Sequence, residues 1–591
     1  MPEAAPRLSL PADAVLPDLL AALEARAEAV LVAPPGAGKT TRVPPALMAA
    51  PWAKGRKTLV LQPRRIAARA AAQRMAAELG ERVGETIGFR VRLETKVSAK
   101  TRVEMVTEGV FARMILNDPS LEDYAAVVFD EFHERSLDGD LGLALARDAQ
   151  QGLREDLRLL VMSATLDAAR VSALLGDAPV IVSEGRLFPV ETIYRPRAPD
   201  ARLEADVAVA CRAALAAEKG SALAFLPGVR EIERTADLLR ETLRDASVDV
   251  RPLYGAMSGE DQDAAIAPSP SGRRKIVLAT SIAETSLTIE GVRIVIDAGL
   301  SRRARYEPGL GLTRLETTRA SQASVEQRRG RAGRTEPGVC VRLWAEGETR
   351  ALPPFERPEI LDADLSGLAR DLAAWGAREP SALAWLDPPP KAAWAEAQSL
   401  LRELGAVDED GRLTAHGVAL AALPLPPRLA HMTLAAAPEA RFTAAHLAVL
   451  MTEQGLGGRD VDARERLRRW LGERSPRARA ARGLAERIAD LAGASGRALD
   501  FESAGPLLLR AFPDRAAKMR GQGSGAYLLA NGRAASLDLA DALAREPYLA
   551  IADIAGRADR AQILLAAPIA LADIESLFAD RIQTSADVTF D

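Results

Sequence analysis

Up to about residue 345 the apolar residues come in short unbroken runs, each ending in polar or charged residues. The first set is AVLVA (29–33), KTLVLQ (57–62), RVEMVT (102–107), AVVFDE (126–131), LRLLVMSAT (157–165) and PVIVS (179–183). Short length and β-branched content predict buried strands, and the segments between them have helical spacing. This alternation predicts an α/β fold with a doubly wound parallel sheet. EGRLFPVE (184–191) reads as a linker. The rhythm then restarts with ALAFLP (222–227), DVRPLYG (249–255), KIVLATS (275–281), VRIVIDAG (292–299) and VCVRLW (339–344), a second α/β domain. Between its last two strands, SRRARYEPGLGLTRLETTRAS (301–321) alternates around Pro308-Gly309 and predicts a β-hairpin. Past about 346 the pattern becomes helical, with helix, short strand, turn and strand at LGAVDEDGRLTAHG (404–417). Residues 421 to 520 are Ala/Leu-rich and helical. From about 521, GAYLLANGR, PYLAIADIAG and AQILLAAPIA predict short strands closing a small β-barrel.

The polar ends of the runs carry the candidate chemistry. Carboxyl ends of parallel strands share one edge, where open α/β sheets bind ligands. The first strand runs into APPGAGKT, Ala33 to Thr40, which fits a phosphate-binding loop except that Ala33 replaces its first glycine. Gly36 and Gly38 let backbone N–H groups close around phosphate oxygens. Lys39 reaches the β/γ-phosphates, and the Thr40 hydroxyl suits Mg²⁺. AVVFDE ends in the carboxylates of Asp130 and Glu131, which suit a divalent cation and a polarised water. The second domain has no phosphate loop but carries QRRGRAGR, Gln327 to Arg334. Two α/β domains sharing one such loop predict a nucleotide in the cleft, with arginines supplied to the γ-phosphate from the second domain.

Composition narrows the reading. A chain of 591 residues holds several domains, and 48% hydrophobic with 27% charged residues is ordinary for a globular protein. A net charge of -4 excludes a generally basic nucleic-acid coat, so any nucleic-acid site is a local groove. Cys211 and Cys340 lie far apart and suggest no disulfide framework or metal cluster. No signal peptide or membrane span is read, so the expected location is the cytoplasm. The Arg-dense stretch from Arg459 to Arg487 has two readings, the lining of an RNA exit or a solvated face, and the interleaved Glu465, Glu473 and Glu486 favour the solvated face. His416, His431 and His446 read as structural polar residues.

Taken together, GKTT, LQPRR, VTEG, DEFH, SAT, TSIAETSLT and QRRGRAGR, in this order and spacing, resemble the superfamily 2 helicases of the DEAH/RHA group. APPGAGKTTRVP and DEFHER resemble its bacterial HrpB-type members most, and the resemblance covers about residues 15 to 540. It implies two tandem RecA-like parallel-sheet domains (1–185 and 186–345), a winged helix (346–420), a helical, ratchet-like bundle (421–520), and an OB-like β-barrel with the start of a C-terminal extension (521–591). Members of the group usually continue further, so a truncated form is expected.

The implied activity is an ATP-driven helicase stepping along single-stranded RNA, with DNA as the other candidate strand. ATP and other NTPs with Mg²⁺ are the implied cofactors, a protein cofactor is a further candidate partner, and the chain is expected to be a monomer. Carried over by residue, Gly36, Gly38, Lys39, Thr40 and Thr41 hold nucleotide. Thr40, Asp130 and Glu131 serve the metal, and Glu131 polarises water. His133 couples the site to the second domain, and Ser163 and Thr165 link the domains and the nucleic-acid path. Gln327 positions water, and Arg331 and Arg334 face the γ-phosphate. Arg64, Arg65, Thr107, Thr280 and Ser281 are expected on the RNA backbone, and the 301–321 hairpin between nucleic-acid strands. Arg74 aligns with the arginine that stacks on the base. Ile266 stands where eukaryotic relatives have the opposing aromatic, and Phe132 stands where the group has Ala. A second function class, a nucleotide-switched module that remodels a protein partner without unwinding, has no need of Thr280, Ser281 or the hairpin.

Overall fold

The computed structural model describes residues 10–582, apart from 165–167, 186–187, 199, 256, 271, 285–288, 308–311, 454, 522 and 557–560. Thr165 and the hairpin tip, Pro308 to Gly311, therefore lie outside the described residues.

The first sheet contains β1 (Glu28–Val32), β2 (Lys57–Gln62), β3 (Ile87–Val91), β4 (Glu94–Lys96), β5 (Val103–Thr107), β6 (Tyr124–Phe129), β7 (Arg158–Ser163) and β8 (Val180–Val182). Their spatial order is β4-β3-β5-β2-β6-β7-β1-β8, parallel except for the β3–β4 pair. The expected strands are all present. The unexpected β3 carries Gly88 and Arg90, which interrupt its apolar run, and β4 is a short, largely exposed edge strand. The important consequence is adjacency. β2, β6, β7 and β1 are four consecutive neighbours, so the residues that follow them emerge side by side. Leu31, Val60, Val128 and Leu160 are fully buried and pack against Ala68, Ala72 and Met75 of helix Arg65–Glu78. Each such aliphatic side chain contributes about 1.5–3 kcal/mol by burial.

The second sheet contains β9 (Val190–Tyr194), β10 (Ser221–Phe225), β11 (Val248–Leu253), β12 (Arg274–Ala279) and β13 (Val292–Asp297), followed by the hairpin strands β14 (Leu300–Glu307) and β15 (Leu312–Arg319), and then β16 (Gly338–Arg342). The sheet is parallel in the order β11-β12-β10-β13-β16-β9, and β14 pairs with β15. The end of the expected linker forms β9, an edge strand whose alternating exposure hid it from a search for buried runs. The hairpin root is held by Arg328, 1% exposed, whose guanidinium meets Asp297 (2.8 Å), the Leu300 carbonyl (3.2 Å) and the Ser301 hydroxyl (2.8 Å).

These two sheets and the 379–390 segment form one compact unit. A second unit takes in 364–378 and the chain from 391 onward. It opens with helices Ser366–Trp375 and Lys391–Glu403. The expected strand–turn–strand at 404–417 is reduced to one antiparallel bridge, Val407 to Leu413. Helices Pro427–Ala435, Arg441–Thr452, Ala463–Gly472, Pro476–Leu491 and Ala504–Ala511 follow. β17 (Ala516–Met519), β18 (Ala526–Leu529), β19 (Ala534–Ser536), β20 (Tyr548–Ala555) and β21 (Ala561–Pro568) close a barrel in the order β17-β18-β19-β21-β20. The barrel starts before the expected 521 because AAKM is a string of helix formers that strand pairing overrides. The three histidines of this unit have structural partners. His416 Nε2 lies 3.0 Å from His431 Nδ1, and His446 Nδ1 lies 2.8 Å from the Phe442 carbonyl.

Candidate functional site

At the end of β1 the chain turns through Gly36 and Gly38, both with φ of +89°, a conformation that disfavours a side chain. Gly38 is the N-cap of helix Lys39–Met48, so the helix N–H groups and dipole open onto the loop. The N-terminal segment braces this loop, with the Ala12 N–H donating to the Ala37 carbonyl (2.9 Å). A Cβ on Gly38 would lie 2.6 Å from Leu10. Thr41 Oγ1 donates to the Gly38 carbonyl at 3.4 Å. The Ala33 N–H donates to the Ser163 carbonyl (3.0 Å), so Ser163, at the end of β7, abuts the loop.

The carboxylates arrive on β6. Lys39 Nζ lies 2.9 Å from Glu131 Oε2, with both residues 4% exposed. Thr40 Oγ1 donates to Asp130 Oδ2 at 2.5 Å, and Gln62 Nε2 donates to the same oxygen at 2.6 Å. Gln62 was not among the candidates. Its signal was a polar end to an apolar strand, and its role follows from register, since Leu61 pairs with Phe129 and so sets Gln62 beside Asp130. His133 Nδ1 sits 3.6 Å from Glu131 Oε2 and 3.5 Å from the Ala164 N–H.

Electrostatics separates the two acids. Burial raises the Asp130 carboxyl against the pull of Lys39. Burial also pushes Glu131 up, but the charge and hydrogen bond of Lys39 hold Glu131 low, hence ionised. Burial alone would lower Lys39, yet Glu131 and Asp130 leave it raised. Burial lowers His133 and favours neutral imidazole. The Thr40 hydroxyl and Asp130 carboxylate form a pair of hard oxygens of the kind Mg²⁺ uses, with waters and phosphate completing its shell. No cluster of three or more His, Cys, Asp or Glu that could hold a metal occurs among the described residues.

The second domain closes the site. Arg331 is 4% exposed, and its Nε donates to the Glu284 carbonyl at 2.8 Å. A Cβ built on Gly36 would lie 3.9 Å from Arg334 Nε, so Arg334 reaches the phosphate loop itself. Burial and then Arg334 lower Arg331 well below its usual value, and burial lowers Arg334 to about 10, with Glu131 pulling both upward. Three cations, the buried Lys39 and Arg331 and the half-buried Arg334, thus face two carboxylates, and an added polyanion relieves the excess positive charge. Gln327 is buried on helix Gln322–Gly330, one turn before Arg331.

Other candidates find protein neighbours. Arg64 meets Glu134 at 3.1 Å and donates to the Ser281 carbonyl, which ties the two domains together. Arg65 is exposed at the start of its helix, Thr107 is an N-cap, and Thr280 accepts from the Ile282 N–H. Arg74 is 56% exposed and pairs with Glu78 at 3.2 Å, while Ile266 packs against the core beneath β12. The residue that reaches helix Gly259–Ile266 is Arg69, through Asp263 at 2.9 Å. Phe132 is 2% exposed and stacks edge-on against Phe129, on the core side of the carboxylates.

Residues 13–174 match the DEAD/DEAH box helicase family, and residues 206–336 match the helicase conserved C-terminal domain. The ATP-dependent RNA helicase HrpB of Escherichia coli (strain K12) is 46% identical over 589 residues, covering 99% of this chain and 71% of that protein. The probable ATP-dependent RNA helicase DHX34 of Mus musculus is 36% identical over 421 residues, 69% of this chain and 36% of its own length. Two crystal structures of E. coli HrpB, one described as a DExH-box NTPase and the other as a DEAH/RHA helicase, superpose with TM-scores of 0.86 and 0.89 at 44% and 45% identity. They cover 98% and 95% of this chain, and each match spans 71% of the solved chain.

Proposed function

This chain belongs to the DEAH/RHA family of ATP-dependent RNA helicases, in its bacterial HrpB group, and we propose that it couples ATP hydrolysis in the Lys39–Glu131 cluster to stepping along single-stranded RNA. The observation that carries this reading is the convergence of Lys39 and Glu131 from one α/β domain with Arg331 and Arg334 from the next. Gly36, Gly38, Lys39 and the helix N-terminus bind the phosphates. Thr40 and Asp130 would hold Mg²⁺, which would screen phosphate charge when bound. Glu131, kept ionised, accepts a proton from the attacking water at its carboxylate, and Gln327 orients that water. Arg331 and Arg334 stabilise charge that develops on the transferring phosphoryl group.

Hydrolysis reaches RNA through the domain contacts. Arg64 links the LQPRR turn to Ser281, so separation of the domains moves two candidate RNA-contacting segments relative to each other. Contacts from Arg65, Thr107 and Thr280 to RNA phosphates carry no sequence information, which suits a translocase. The hairpin β14–β15, rooted on Arg328, acts as the wedge. The protein works as a cytoplasmic monomer, with a protein cofactor as a further partner. The test is RNA-stimulated hydrolysis alongside duplex separation, with single-stranded DNA as competitor. Hydrolysis indifferent to single-stranded RNA would leave the protein-remodelling switch as the better reading.

A further inference from the structure

The turn that follows Glu131 is held in a conformation it does not prefer. Glu131 has φ of +53° and Arg135 has φ of +48°, both left-handed and neither glycine. Between them, Phe132 to Glu134 form a single 3₁₀ turn that carries His133. Left-handed backbone is costly for a residue with a Cβ, and it persists only where the surroundings fix it. The Glu131 end is fixed by the Lys39 ion pair. The Arg135 end is fixed by Asp140 and by residues more than two hundred positions further along the chain.

Arg135 is 8% exposed. Its Nε and Nη2 donate to the two carboxylate oxygens of Asp140 at 2.9 and 3.1 Å, and its Nη1 lies 2.7 Å from Asp387 Oδ2. Its carbonyl accepts the Glu359 N–H at 3.0 Å, and Glu359 Oε2 accepts the Leu137 N–H at 2.9 Å. Asp387 is held in turn by Arg170 at 2.9 Å. The guanidinium carbon also lies 5.8 Å from the centre of the Phe132 ring. A planar fork hydrogen-bonded on one edge by Asp140 and ion-paired on another with Asp387 leaves the side chain little freedom, and a lysine would not reproduce it.

We infer that Arg135 is a positioning residue, clamped by Asp387 and Glu359, through which the segments following the second α/β domain set the aim of Glu131 and His133. This rests on the assignment of Glu131 as the base. Loosening the clamp lets the turn relax toward ordinary dihedrals. The Glu131 carboxylate then drifts from the attacking water, while the phosphate loop, on β1, is untouched.

The test uses the full chain with Asp387→Asn, Glu359→Ala and Arg135→Lys. RNA-stimulated turnover, equilibrium affinity for a fluorescent nucleotide and melting temperature are measured together, with Glu131→Gln alongside. Turnover is expected to fall roughly 10- to 100-fold, the scale for a small misplacement of a catalytic group, with affinity held within about twofold. Asp387→Asn placed on Glu131→Gln should lower turnover no further. Turnover close to wild type, or turnover and affinity falling in proportion, overturns the clamp. If Glu131→Gln itself turns over normally, the base assignment fails instead, and the two failures are distinguishable.

Discussion

The ammonium of Lys39 and the carboxylate of Glu131 meet at 2.9 Å in a pocket where each residue is 4% exposed. The group proposed to bind phosphate and the group proposed to accept the proton are thus partners in one ion pair, so phosphate oxygens would compete with Glu131 for the same donor. The pair keeps the carboxylate ionised, the form that the proposed base needs.

Glu131→Gln should therefore keep nucleotide binding and lose turnover. The amide fills the same space but accepts no proton, for an expected loss of about 10²–10⁴-fold. Affinity should hold or tighten, because Lys39 is released from its charged partner. Steady-state hydrolysis within a few-fold of wild type would show that another group is the base.

Arg331→Ala and Arg334→Ala should each lower turnover far more than affinity, on the order of 10³-fold for a γ-phosphate arginine. Nucleotide titration and steady-state rates on the same preparations give the comparison. Equal losses in both would mean that the arginines only bind the ground state.

Deleting the hairpin tip, Pro308 to Gly311, should uncouple unwinding from hydrolysis. Arg328 holds the root through Asp297 and Ser301, so the strands remain anchored without the tip. RNA-stimulated hydrolysis should survive while duplex separation falls. A deletion variant that unwinds normally removes the wedge.

All four common nucleoside triphosphates should be hydrolysed, within about tenfold of one another. The first glutamine of the chain is Gln62, which donates to Asp130, so no amide upstream of the phosphate loop is available to read an adenine edge. An arginine over a base face contributes ~0.5–2 kcal/mol whatever the base, and ~1.4 kcal/mol is one decade. Ile266→Phe should lower the Michaelis constant for purines more than for pyrimidines. Kinetics with four nucleotides decide this, and a several-hundred-fold preference for ATP would require an edge-reading group.

Stability should depend on pH through His431. Burial, then His416, hold its pKa down to about 4 from 6.5. A histidine with a depressed folded pKa binds fewer protons when folded, so its contribution is complete above about 6.5 and is lost as pH falls toward about 4. The melting temperature of the wild type should fall more steeply across that window than that of His431→Gln. Parallel curves would mean that the His416–His431 contact is electrostatically silent.

Much of the site was legible because its chemistry is local. Gly36, Gly38, Lys39 and Thr40 need only a strand before and a helix after, and Asp130 and Glu131 need only to end a buried strand. Less legible were residues whose role depends on what lies opposite. Gln62 matters because β2 and β6 are register partners, and Arg64, read as an RNA contact, is engaged by Glu134 and the Ser281 carbonyl. β9 and β17 escaped because an edge position and strand pairing overrode their local pattern.

By itself, then, the sequence determined two α/β domains, the phosphate loop, the acidic strand end and the arginine helix, since strand and helix periods and glycine spacing act over a few residues. Only the tertiary structure decided which strand ends are neighbours. The order β2-β6-β7-β1 brings Gln62, Asp130, Ser163 and the loop to one edge. Long-range packing likewise decided that Arg334 reaches Gly36 and that Asp387 holds Arg135. Such contacts join residues hundreds of positions apart, and their energy comes from desolvated charge and shape that no local pattern encodes.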